Sequence, residues 1–110
     1  MQIEKEIYNF VEFEIDKYSE YLKLLEKETE FFPKDKKSAK SIFACEFIVN
    51  AINDFLKSAT TIEKEFFELY FIRKEKNRYE LSEKMFMSDG TFFRVKKNII
   101  IKVAKNLGLL

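Results

Sequence analysis

A chain that holds two glycines and one proline in 110 residues has few places to turn. Both residues break regular structure, so their scarcity predicts long helices joined by short connections. The apolar side chains agree, recurring at steps of three and four along most of the chain, which is the period of an amphipathic helix. Thirteen Phe and five Tyr supply bulky core side chains. One compact unit is expected at this length, with little to spare for a second independent core. The predicted class is all-α, a bundle of about five helices.

Residues 2–28 place Ile3, Ile7, Val11, Ile15, Tyr18, Leu22 and Leu25 at helical spacing, which predicts one long amphipathic helix. Phe31-Phe32-Pro33 breaks it, because proline disfavours helix in the residue before it, and residues 34–38 form a polar connection. A second helix over 38–56 has Ile42, Cys45, Val49, Ile52 and Leu56 on one line and Ala44, Ile48, Ala51 and Phe55 on the next. That width suits a central helix buried on two sides. Thr60-Thr61-Ile62-Glu63 has capping-box order and opens a third helix through Ile62, Phe66, Leu69 and Tyr70. Asn77-Arg78-Tyr79-Glu80 caps a short fourth helix, with Leu81 and Met85 facing inward and the small Ser82 where two helices cross.

The last helix is the most strongly patterned. Ser88 is a good N-cap and Asp89 sits where the helix dipole favours negative charge. Phe92, Val95, Ile99 and Val103 make one buried stripe, leaving Thr91, Arg94, Lys97, Asn98 and Lys102 outward, and Gly108 stands at the expected C-cap. A short helix, a tight turn at Phe86-Met87-Ser88 and a longer basic helix form a helix-turn-helix order. Two units follow: residues 1–58, a helical hairpin, and residues 59–110, the helix-turn-helix unit.

Charge divides the chain in the same sense. Residues 1–72 carry 10 basic and 15 acidic side chains, residues 73–110 carry 10 and 4, and the total is +1. A basic end on an acidic body points to an oriented contact with a polyanion, although a solvated Lys-rich face accounts for the same charges. The absence of His removes the side chain best suited to proton transfer near neutral pH and the commonest metal ligand. No enzyme, cofactor or metal is expected. Cys45, alone in an apolar run, reads as a small buried hydrophobe and fits a reducing compartment. No run approaches the roughly 18 apolar residues of a membrane span, and the acidic start Met1-Gln2-Ile3-Glu4 lacks the order of a signal peptide. A soluble, cytoplasmic protein is the expectation.

Several strings together resemble a known family: Glu63-Lys64-Glu65-Phe66-Phe67-Glu68-Leu69-Tyr70, Leu81-Ser82-Glu83-Lys84-Met85, Ser88-x-x-Thr91-Phe92-Phe93-Arg94-Val95-Lys96-Lys97 and Val103-Ala104-x-x-Leu107-Gly108-Leu109. Over about residues 50–110 the chain looks like the ArpU/RinA family of phage late transcription regulators, whose carboxy-terminal unit is similar to the promoter-binding last domain of primary sigma factors. The resemblance implies a sigma-like helix-turn-helix that binds double-stranded DNA and activates late genes of a phage or prophage in its bacterial host. Phe86 and Asp89-Gly90 depart from the usual pattern.

On that reading Asp89, Gly90, Thr91, Phe93, Arg94 and Asn98 are the base-contact candidates. Arg94 can bind guanine bidentately or clamp a phosphate. Phe93 can touch a thymine methyl or pack beneath the third helix. Arg73, Lys74, Lys76, Arg78, Ser88, Lys96, Lys97 and Lys102 are the phosphate candidates. A single unit offers a small interface, so help is expected: the first helix either makes a homodimer or docks on RNA polymerase. The alternative is a phage-encoded helical inhibitor or protein-binding module that reuses the helix-turn-helix shape. Carboxylate pairs such as Glu12 with Asp16 and Glu26 with Glu30 read as surface salt-bridge partners of lysines.

Overall fold

The computed structural model describes residues 2–28 and 36–110, with side chains over 2–27 and 41–110. Six α-helices appear among them: α1 (Lys5–Asp16), α2 (Tyr18–Glu28), α3 (Lys36–Ser58), α4 (Thr61–Phe66), α5 (Arg78–Lys84) and α6 (Asp89–Asn106). A π-helical stretch, Phe67–Ile72, continues α4. The fold is an all-α bundle, as the periodicity predicts. None of the described helices is long and apolar enough to cross a membrane.

The single first helix predicted over 2–28 is two. It breaks at Lys17, whose amide bonds back to the Glu14 carbonyl at 3.1 Å in a tightened turn. The break coincides with a side chain from far along the chain, since the Lys74 ammonium donates to the Asp16 carbonyl oxygen. A polar group inserted at the helical ladder is a known cause of kinks. Tyr21 then donates to the Glu14 carboxylate and Tyr18 to Asn53, fastening α2 to α1 and α3. The predicted break at Phe31-Phe32-Pro33 lies outside the described residues, and the described part of α3 already includes residues 36–38 of the predicted connection.

The element in the middle is α6 rather than α3, because α6 packs against α1, α3, α4 and α5. Val11, Ile15, Ile52, Phe55, Phe66, Phe92, Ile99 and Val103 share one core, so residues from both predicted units are buried together. The wide apolar surface of α3 is only partly used: Cys45, Val49, Ile52 and Phe55 are buried, whereas Phe43, Ala44 and Phe47 stay exposed. Burial pushes the Cys45 thiol up from its ordinary pKa, and the Glu14 charge adds to this. Around the core, aromatic rings meet edge-on, with Phe66 5.1 Å from Phe92 and Tyr70 4.9 Å from Phe71 between centroids, a favoured geometry for ring quadrupoles.

The capping box before α4 is present. Glu63 N–H donates to Thr60 Oγ1 at 3.2 Å, and Thr60 N–H donates to Glu63 Oε1 at 2.9 Å. Glu63 is buried beneath α6, while Ile62, expected inside, is exposed. Glu63 is held on the inner side by its capping bonds and by two 2.8 Å bonds from the Lys102 ammonium. Burial raises the Glu63 pKa, but the Lys102 and Thr60 hydrogen bonds outweigh it and hold the carboxyl below its ordinary value.

Three helix ends close through a left-handed residue. The amides of Glu75, Met87 and Leu109 reach back to the carbonyls of Leu69, Ser82 and Ala104 at 3.0, 2.9 and 2.9 Å. The residue before each amide, Lys74, Phe86 or Gly108, takes a left-handed φ of 60, 53 or 77°. The Met87 and Leu109 closures, five residues long, are the Schellman arrangement, and the Glu75 closure is one residue longer because it ends the π-helical stretch; glycine adopts the left-handed position freely and other residues adopt it with strain. Only the last closure uses glycine.

Candidate nucleic-acid interface

Ser88 begins the site. Its Oγ accepts from the Thr91 amide at 3.2 Å, and its hydroxyl donates to Thr91 Oγ1 at 3.1 Å. Arg94 Nη2 donates to the same Thr91 oxygen at 3.5 Å, so three residues a turn apart form a chain that lays the guanidinium along the outer surface of α6. Asp89, Gly90, Phe93, Arg94 and Asn98 are exposed, and Thr91 and Lys97 are half-buried. The base-contact candidates therefore occupy the first turns of α6 on one side. Past Asn98 the helix closes up, with Ile99, Ile100, Ile101, Val103 and Ala104 all buried.

Phe93 lies between its two readings. It is 48 % exposed, stands edge-on to Phe92 at 5.4 Å and has the Arg78 guanidinium 5.3 Å from its centroid. Arg78 also stacks on Tyr79 at 4.6 Å and lies 3.7 Å from the Asp89 carboxylate. Asp89 is thus turned toward the start of α5, where Asn77 accepts from the Glu80 amide as N-cap. Tyr70, Lys76, Asn77, Arg78, Tyr79 and Phe93 are among the residues lining a cleft of about 380 Å³ beside α6.

The phosphate candidates divide. Six have carboxylate partners within the chain. Arg73 meets Glu68 at 3.4 Å, Lys74 and Lys76 meet Asp16 at 3.5 and 2.5 Å, and Arg78 meets Asp89. Lys96 meets Glu12 at 2.5 Å and Lys102 meets Glu63 at 2.8 Å. Lys96 is turned inward, its side chain only 14 % exposed. Burial works against its charge, but the Glu12 hydrogen bond and Tyr70 outweigh this and leave the ammonium pKa raised. For Lys76 burial wins over Asp16 and lowers the pKa, and its ammonium sits 3.8 Å from the Tyr70 ring centroid. Lys97 has no ion pair among the described residues, and Ser88 is occupied as a cap.

The charge division along the chain is therefore largely internal. Glu12 and Asp16 on the acidic α1 neutralise lysines of the basic segment, which sequence order alone does not show because Lys76 stands 60 residues from Asp16 and Lys96 lies still further from Glu12. The sequence identifies Glu12 and Asp16 as salt-bridge partners of lysines, and they are, but with the distant Lys96, Lys74 and Lys76; it missed Tyr79, which is exposed beside Phe93 and follows the N-cap order Asn77-Arg78-Tyr79-Glu80 that did mark this place. Among the described residues no group of three or more His, Cys, Asp or Glu could hold a metal. No family model, no curated protein and no solved structure matches this chain.

Proposed function

We propose that the chain is a sequence-specific regulator of transcription that binds double-stranded DNA through the first turns of α6. The observation that carries this is the way α6 is held. α6 packs against four other helices and buries Ile99, Ile100, Ile101, Val103 and Ala104 in its second half, while its first turns present the exposed Gly90, Phe93, Arg94 and Asn98 with the half-buried Lys97. A recognition helix works in this manner, with amino-terminal residues at base edges and the preceding helix crossing the backbone. The resemblance to the ArpU/RinA family over about residues 50–110 supports the same reading and extends it to activation of phage late genes through recruitment of RNA polymerase. With so many lysines internally paired, only about two to four phosphates are neutralised, giving a log–log salt slope of roughly −2 to −4.

The test is salt-titrated binding to a promoter fragment from the gene's own neighbourhood against scrambled DNA of equal length. Specific binding is expected. Arg94→Ala should weaken it by about tenfold to a hundredfold and relax its sequence preference, with stability changed by no more than about 0.5 kcal/mol because the side chain is exposed. Binding indifferent to sequence and to Arg94 overturns the reading. A second reading, a protein-binding module that keeps this shape, is favoured by one observation: Tyr79, Phe86 and Phe93 crowd exposed rings beside the same turns. DNA-independent function that survives Arg94→Ala would select it.

A further inference from the structure

One face of α1 is unused by the fold. Val11 and Ile15 bury the inner side, whereas Phe10 and Phe13 are exposed, Phe13 by 55 %. Phe10 also lines an apolar groove of about 220 Å³ with Ala44, Phe47, Ile48, Leu107 and Leu109, so the surface continues onto α3 and the end of α6. Contiguous apolar area of this kind marks an interaction surface.

The charges bordering this face say what covers it. Glu6, Phe10, Phe13 and Lys17 follow one another at steps of four, three and four, which places the first three on one stripe of α1 and Lys17, its C-cap, at the end of that stripe. The stripe is its own antiparallel complement. Turned about a twofold axis through the midpoint between residues 11 and 12, Glu6 meets Lys17 of a second copy and Phe10 meets Phe13. A parallel arrangement would instead set Glu6 against Glu6. Neither Glu6 nor Lys17 has an ion pair among the described residues, and the Lys17 ammonium lies 4.3 Å from the Phe13 centroid, already on the face. An isologous contact requires this self-complementarity, residue i meeting j and j meeting i.

We propose that two copies of this chain pair antiparallel through α1, with Phe10 and Phe13 at the centre and Glu6 bound to the Lys17 of the other copy at each end. The pairing does not rest on the DNA-binding reading, because the surface lies on the amino-terminal helix and its assay contains no DNA. It commits the first helix to a homodimer in place of a polymerase contact.

Sedimentation equilibrium of the full chain over a wide concentration range tests it. The native protein should be a dimer. Glu6→Lys and Lys17→Glu should each weaken it about tenfold, since each sets like charges together at both ends of the contact. The double variant, in which opposite charges meet again, should return to within about twofold of the native constant. Phe13→Ser should weaken it by about a hundredfold. Circular-dichroism melts establish that each variant folds, which the exposure of Glu6 and Phe13 and the half-exposed position of Lys17 favour. A native monomer throughout the range overturns the proposal, and so does a dimer indifferent to Glu6→Lys or one that the double variant fails to restore.

Discussion

The two halves of α6 share one helical line and meet opposite surroundings. Phe93, Lys97, Ile100 and Ala104 follow one another on the same side; the first is half exposed, while Ile100 and Ala104 are fully buried. The stripe Phe92, Val95, Ile99 and Val103 is buried along the whole helix, so the difference lies in a second stripe that is covered only toward its carboxy-terminal end. A helix can thus be core at one end and a projecting surface at the other, and periodicity reports only the part common to both.

The most severe test of that division is Ile99→Ala. Ile99 has no exposed surface, so truncation should cost about 3 kcal/mol in chemical denaturation. Affinity of the remaining folded protein for DNA should be unchanged; an equal loss in both would show that the halves are one functional unit. Next is the clamp on the second half. Glu63→Ala removes the capping box and leaves Lys102 unpaired, but Lys102 is partly exposed and can be hydrated, so about 2 kcal/mol is expected rather than the cost of a fully buried pair. With its folded pKa depressed, Glu63 contributes stability in full above about pH 4.5, and this is lost as pH falls through the folded value. Glu63→Gln should flatten that acid limb in pH-dependent melts.

Smaller effects sharpen the first half. Phe86 is 96 % exposed and holds a left-handed φ of 53° just before α6. Phe86→Gly removes the strain and should stabilise the fold by about 1 kcal/mol in thermal unfolding; a loss of DNA binding in this more stable variant would assign the ring a contact. Gly90 is smaller still in its effect. A Cβ built there meets only Ser88 Oγ at 3.9 Å, so nothing in the fold requires glycine. Gly90→Ala should raise stability by about 0.5 kcal/mol. If the backbone there approaches DNA closely, the same change weakens binding, which titration against the duplex would read.

Much of this was legible from residues alone. The helices, the Thr60 and Ser88 caps, the stripe through Val103 and the Gly108 closure follow from local rules, because each depends on residues within a few positions. What escaped depends on distant partners. The break at Lys17 coincides with Lys74, and the inward turn of Lys96 needs Glu12. Left-handed Lys74 and Phe86 escaped for another reason: glycine is the usual signal, and here it is absent. The face of Glu6, Phe10, Phe13 and Lys17 was present in the sequence, but the stronger line through Val11 and Ile15 accounted for the helix and hid it.

Amide chemical-shift mapping during titration with duplex DNA addresses the central claim most directly. The account predicts that shifts concentrate at Ser88–Asn98 and the start of α5, sparing the buried second half of α6 and the α1 face. Shifts centred on α1, or none at the first turns of α6 under conditions where DNA binds, would contradict it.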